Sequence, residues 1–203
     1  MEIITNINDI QNDLLIWFSN QGRLGIPWKL KEDGSRPRTR EMLSPYGIWI
    51  AEVMLQQTQL KVVLRYWKKW MITFPDLLAL AEADEQEVLL LWQGLGYYSR
   101  AKRLHKSSKL LVNLIGKNNI LDFSFWPVEL DQWIALPGIG KSTAGSIISS
   151  AFDLSFPILD GNVRRILSRL IASNKSSLQD TKRLWSLSEQ LVPNHNPRDF
   201  NQA

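Results

Sequence analysis

"ALPGIGKSTAGSIISSAF", Ala135–Phe152, reads as a helix, a tight turn and a second helix. The first helix ends at Leu136, Pro137-Gly138-Ile139-Gly140 makes the turn, and the second helix starts at Lys141. Gly138 and Gly140 tolerate positive φ and let another backbone come close. The turn leaves unpaired N–H groups at the start of the second helix, and with the helix dipole they form an anion site. A phosphate bound there needs no side chain, so such a hairpin holds a nucleic-acid backbone without reading sequence. Gly138, Gly140, Lys141 and Thr143 are the candidate phosphate contacts. An ordinary αα-corner uses the same turn; the longer context "LPGIGKST" favours the phosphate reading.

Outward from the hairpin the pattern stays helical. Apolar spacing predicts helices over Asp9–Asn20, Pro45–Thr58, Leu60–Phe74, Pro75–Asp84, Asp84–Gln93, Tyr98–Ile115, Asp131–Leu136, Lys141–Phe152, Gly161–Ala172 and Leu178–Leu191. "RLGIPWKLKEDGSRPRTREMLSPYG", Arg23–Gly47, reads as loop, with Pro45 placed to open the next helix. No alternating strand pattern of useful length occurs, so the predicted fold class is all-α.

The 203 residues include nine tryptophans and carry a formal net charge of +4, which is compatible with a polyanionic partner. Cysteine is absent, which excludes disulfides and cysteine-ligated metals within these residues, and two histidines alone cannot build a zinc site. No metal site is expected. The N-terminus lacks a basic start, and no apolar run reaches membrane-spanning length, so the expected location is cytoplasmic.

Two carboxylates stand out. In "WIAEVMLQQTQ", Trp49–Gln59, Glu52 sits in an almost wholly apolar helical run, sharing its face with Ile48, Trp49, Leu55 and Gln56. Burial there raises a carboxyl pKa. In "FPILDGNVRRILSRL", Asp160 precedes a helix, where backbone N–H groups and the dipole favour its ionised form; a plain N-cap would look the same. Two carboxylates pushed apart in this way divide into an acid and an anion. Glycosidic bond cleavage uses that division.

"PYGIWIAEVMLQQTQ", "GLGYYSRAKRLHK", "LPGIGKSTAGSI" and "PILDGNVRRILSRL", in that order, resemble the A/G-specific adenine DNA glycosylases of the MutY family, within the helix-hairpin-helix glycosylase superfamily. The match runs from about Pro27 to the last residue. It implies a six-helix lobe over residues 30–155 and a second lobe formed by 1–29 with 156–203. It implies removal of adenine opposite 8-oxoguanine or guanine in double-stranded DNA, with the adenine flipped out of the stack. Glu52 matches the catalytic acid, Asp160 the carboxylate that stabilises the sugar cation, and Asn162 a motif asparagine near them. Gln56, Gln57 and Tyr97 match residues that wedge into the stack. Ile26 and Trp28 match the adenine pocket wall. Lys29 replaces the arginine common after that tryptophan, changing a fork to a point charge.

Relatives of the endonuclease III type carry a lysine nucleophile at the position of Ser142. Here Lys141 lies one residue earlier, about 100° round the helix. The resemblance therefore implies a monofunctional glycosylase acting as a monomer near the nucleoid. In other members the Ser142 position is a tyrosine near the sugar. Three departures follow. The family's 4Fe-4S cluster has no cysteine here, and the chain stops at Ala203, before the first expected ligand. The further domain that recognises 8-oxoguanine is missing, so the chain looks truncated. Extra residues, including "EDGSRPRTR", lie between Trp28 and Pro45. The incomplete second lobe is expected to expose Leu187, Leu191 and Phe200. The competing readings are an inert helix-hairpin-helix DNA binder and an endonuclease III-like glycosylase-lyase.

Overall fold

A computed structural model of the chain describes residues 6–172 and 178–203. Regular structure among them is helical, without a strand. The helices are α1 (Ile7–Gln21), α2 (Pro45–Leu55), α3 (Leu60–Thr73), α4 (Leu77–Glu82), α5 (Glu85–Trp92), α6 (Tyr98–Ile115), α7 (Leu130–Ile134), α8 (Lys141–Phe152), α9 (Gly161–Leu170), α10 (Leu178–Leu191) and α11 (Pro197–Gln202). The all-α expectation holds.

α2 starts as its sequence dictates. Pro45 occupies the first turn, and the Ser44 hydroxyl accepts from the Gly47 N–H at 3.2 Å. Ile48, Trp49, Ile50 and Met54 are buried to 2% exposure or less, so the helix is central, packed against α3 and α8. It ends earlier than the predicted Thr58. Gln56 leaves the helical region and Gln57 takes φ 59°. Apolar spacing had no means of showing that bend. Pro75 likewise does not open α4; Asp76 caps it, accepting from the Ala79 N–H at 2.8 Å.

Two apolar clusters form. The first gathers Trp28, the α2 residues, Trp70, Trp92, Trp126, Trp133 and the inner face of α8. The second joins Leu159 and Leu167 to Leu184, Leu187 and Leu191, with Ile7, Ile10 and Phe200 packed on it. The expected exposure of Leu187 and Leu191 is therefore wrong: they are 6% and 4% exposed, and Phe200 is half-buried. α9 and α1 pack against α10, and Ile7, Ile10 and Phe200 lie on the cluster that buries them. α11 has six residues, too few to show a periodicity, so its covering role was not legible. The apolar surface left open lies instead on α1 and α9, at Ile16, Trp17, Ile166 and Leu170.

The extra residues before α2 are tied to α8 and α11. Arg36 pairs with Asp199 at 2.8 Å, Thr39 Oγ1 donates to Asn196 at 2.8 Å, and the Leu43 N–H donates to the Ala151 carbonyl at 2.8 Å. Buried Arg198 closes the joint. Its Nε donates to the Ser150 carbonyl at 2.7 Å, and its Nη2 donates to the Glu41 carbonyl at 2.6 Å. The Asp153 carboxylate accepts from the Arg198 and Arg40 N–H groups. Arg198→Ala strands these carbonyls and is expected to destabilise the chain by about 3 kcal/mol, given 1.5–3 kcal/mol for each bond to a charged group. Urea unfolding measures this, and a loss below about 1 kcal/mol contradicts it.

Candidate active site

α2 and α8 pack side by side, and the connector 153–160 returns from the end of α8 to begin α9. Two features of α8 hold that connector down. The Ser142 hydroxyl accepts from the Leu159 N–H at 3.0 Å. At Gly145 a Cβ would lie 2.6 Å from the Pro157 carbonyl oxygen, so only glycine lets the connector lie this close. Asp160 is thereby fixed at the head of α9. Its Oδ1 accepts from the Asn162 and Val163 N–H groups at 2.9 and 2.8 Å.

Glu52, on α2, shares one cavity of about 350 Å³ with Asp160 and Asn162. Ile26, Trp28 and Lys29 line the same cavity. The sequence thus named six residues that the fold brings together from three segments. Trp28 is fixed by its ring contact with Trp67, centroids 5.4 Å apart. Arg23, Ser146, Asn201 and Gln202 also line the cavity and were not foreseen. Ser146 carried one available signal: it stands one turn beyond Ser142, on a face of α8 where an apolar residue would otherwise be expected. Asn201 and Gln202 lie on α11, whose shortness hid them.

Burial pushes the Glu52 carboxyl up to about 7, and the charge of Asp160 adds to the shift. The nearby Ser146 hydroxyl and the Lys29 ammonium oppose it. Glu52 keeps some area open to the cavity, yet protein packs around its carboxyl on every other side. That packing governs its hydration. Lys29 is lowered to about 8, by burial first and by the neighbouring Arg23 charge second. At neutral pH the cavity therefore holds a carboxyl close to half protonated. Ser146→Ala removes a hydroxyl that favours the carboxylate, so Glu52 is expected to titrate at still higher pH. Carbon-13 NMR of the Glu52 carboxyl reads this, and an unchanged or lower midpoint contradicts it.

Gln56, Gln57, Tyr97 and Ser142 stand outside the cavity lining. Ser142 is committed to the connector. Gln57 and Tyr97 are exposed and adopt φ 59° and 48°, a region that non-glycine residues enter only when the surroundings force them. At the hairpin, Gly138 has φ 85°, and a Cβ there would sit 3.1 Å from Arg103 Cδ. No side chain caps α8 at Gly140, which leaves its first-turn amides for an external acceptor. Thr143 is half-buried in that first turn. Lys141 Nζ lies 4.3 Å over the Trp185 ring, so its contribution to an anion site is its backbone N–H.

An apolar groove of about 470 Å³ between α1 and α9 has Asp13 as its one ionisable liner among the described residues, and carries no acid–base chemistry. No group of three or more metal-binding side chains occurs among the described residues. A 4Fe-4S cluster needs cysteine thiolates, and the 203 residues supply none, so they do not fit that cofactor.

Residues 50–193 match the family model described as HhH-GPD superfamily base excision DNA repair protein. The chain is 37% identical over 192 residues to the adenine DNA glycosylase of Buchnera aphidicola subsp. Acyrthosiphon pisum, covering 94% of this chain and 50% of that protein. It is 38% identical over 202 residues to the adenine DNA glycosylase of Homo sapiens, covering 98% of this chain and 35% of that protein. The chain thus spans half the length of the first relative and about a third of the second. Among solved structures it is similar to a thermostable thymine-DNA glycosylase, with a TM-score of 0.76 and 24% identity, covering 97% of this chain and 82% of that one. That likeness shows the fold.

Proposed function

The chain belongs to the HhH-GPD superfamily of base excision DNA repair proteins, and from that membership we propose that it removes adenine mispaired with 8-oxoguanine or guanine in double-stranded DNA by hydrolysing the N-glycosidic bond. The observation that carries this is the pairing of Glu52, raised to about 7, with Asp160 in one cavity. Similarity to adenine DNA glycosylases supports the choice of base.

The chemistry follows from the two carboxyls. Protonated Glu52 gives its proton to a ring nitrogen of the flipped adenine. The bond from C1′ to the base breaks, and its electron pair leaves with the adenine. The sugar carries positive charge at that moment, and the Asp160 carboxylate stabilises it. Water adds at C1′, and its proton returns to Glu52. Trp28 and Ile26 supply an apolar wall for the purine. The hairpin amides hold the backbone phosphate, and Gln56, Gln57 and Tyr97 fill the space that the adenine leaves. The chain acts as a monomer in this reading, and its DNA affinity falls steeply with salt.

Release of bases is measured on matched duplexes carrying adenine opposite 8-oxoguanine, guanine or thymine, and thymine opposite guanine. Adenine release from the first two is expected. Release of thymine alone, or binding without release, overturns the proposal. Lys29 is the one lysine lining the cavity among the described residues, and it favours a second reading as a lyase. Borohydride trapping on abasic DNA is expected to give no adduct. An adduct lost in Lys29→Arg would establish the lyase.

A further inference from the structure

Arg100 lies in the first turn of α6 and is 8% exposed. Its guanidinium is shared between two loops that the sequence places about forty residues apart. Nη1 donates to the carbonyls of Val53 and Met54 at 3.0 and 3.1 Å, and to that of Gln56. These belong to the last turn of α2 and the bend after it, where carbonyls have no partner within the helix. A cation there also meets the negative end of the helix dipole. Nη2 donates to the carbonyls of Leu95 and Gly96 at 3.0 and 3.2 Å, and to Thr58 Oγ1 at 3.4 Å. The first two immediately precede Tyr97. The guanidinium also lies 5.2 Å from the Trp92 ring centroid and 5.6 Å from that of Tyr97.

Each of the two loops it joins carries a strained, exposed side chain, Gln57 on one and Tyr97 on the other. Strain of that kind persists only where the surroundings over-determine the backbone. Arg100 satisfies acceptors on both loops with one planar fork, which a lysine cannot reproduce. We infer that Arg100 is a positioning residue that sets the separation of two DNA wedges, the Gln56–Gln57 bend and Tyr97, and so controls opening of the base stack rather than bond cleavage. This rests on the proposed reading of those residues as stack-inserting.

The test uses the full chain bound at saturation to a duplex with 2-aminopurine beside the adenine·8-oxoguanine pair. The fluorophore brightens as its neighbour unstacks. Wild type is expected to brighten it. Arg100→Lys is expected to lose more than half of that rise, while affinity, dominated by phosphate contacts, changes less than about threefold. Adenine release is expected to fall about tenfold or more, since a displaced positioning group costs that much. Gly96→Ala is the second variant, for the case that Arg100→Lys fails to fold. It leaves the guanidinium in place but forces a side chain onto φ 71° at an acceptor of Arg100, and it is expected to lose unstacking likewise. Arg100→Lys added to Tyr97→Ala and Gln57→Ala together is expected to remove nothing further, because Arg100 acts through those two wedges.

Unstacking equal to wild type in Arg100→Lys or Gly96→Ala overturns the inference. So does a further loss in the variant lacking both wedge side chains, or a wild-type complex that does not brighten. Adenine release in the same samples separates the two claims. Unstacking that depends on Arg100 without adenine release sinks the adenine reading and leaves the wedge standing.

Discussion

Glu52→Gln is expected to slow single-turnover adenine release by about 1,000-fold or more, within the range that a positioned general acid–base contributes. Glutamine keeps the size and a polar contact for Ser146, but it has no proton to give at pH 7. The same substitution is expected to stabilise the fold at high pH. The sign follows from linkage. Glu52 has a folded pKa of about 7 against 4.5 for the free carboxyl, so the folded chain binds the extra proton. Its contribution then weakens as pH rises from about 4.5 to about 7, by roughly 3 kcal/mol in total. Glutamine carries no such penalty. Glu52→Gln should therefore match wild type near pH 5 and exceed it above pH 8 in urea unfolding. Lost activity with gained stability is the mark of a group kept for chemistry. Equal stability at both pH values, or retained release, would contradict the assignment.

Asp160→Asn carries the second large effect, about 100-fold or more in the same assay, by analogy with the loss of one preorganised electrostatic group. Asparagine caps helices about as well as aspartate, so the bonds from the Asn162 and Val163 N–H groups should survive. Stability should change by less than about 1 kcal/mol. The charge is what goes. Asp160 is one of the causes that raise Glu52, so the Glu52 midpoint should also fall in this variant. Asp160→Ala should lose the cap as well and unfold more readily. A variant that unfolds yet turns over normally would make Asp160 a cap and nothing else.

Legibility in the sequence followed the range of the forces involved. Glu52 was legible because a charge in an apolar run breaks a local rule, and the hairpin because glycine spacing is a local backbone demand. The longer helices of the first cluster were legible for the same reason, α3 and α6 by a periodic apolar stripe and α2 by an apolar run. The bend at Gln56 was not legible. Arg100, from α6, supplies acceptors' partners there, and no periodicity records a contact made across the fold. Ser146 hid among other small polar residues of α8 until α2 was packed against it. Leu187 and Leu191 were misjudged because their cover comes from α1 and α9 across the fold and from Phe200 of α11, a helix too short to announce itself. Ser142 was half legible in a related way. Its position in the motif suggested the substrate, and what no motif recorded is that its hydroxyl accepts from the connector that holds Asp160.

The most direct measurement is the pH dependence of single-turnover adenine release by the 203-residue chain, from a duplex with one adenine opposite 8-oxoguanine, between about pH 5 and 9. Release that is fastest in acid and falls through a midpoint near 7 is the result expected of Glu52 as proton donor. A rate that rises across that range, or bound DNA from which no adenine leaves at any pH, would contradict it.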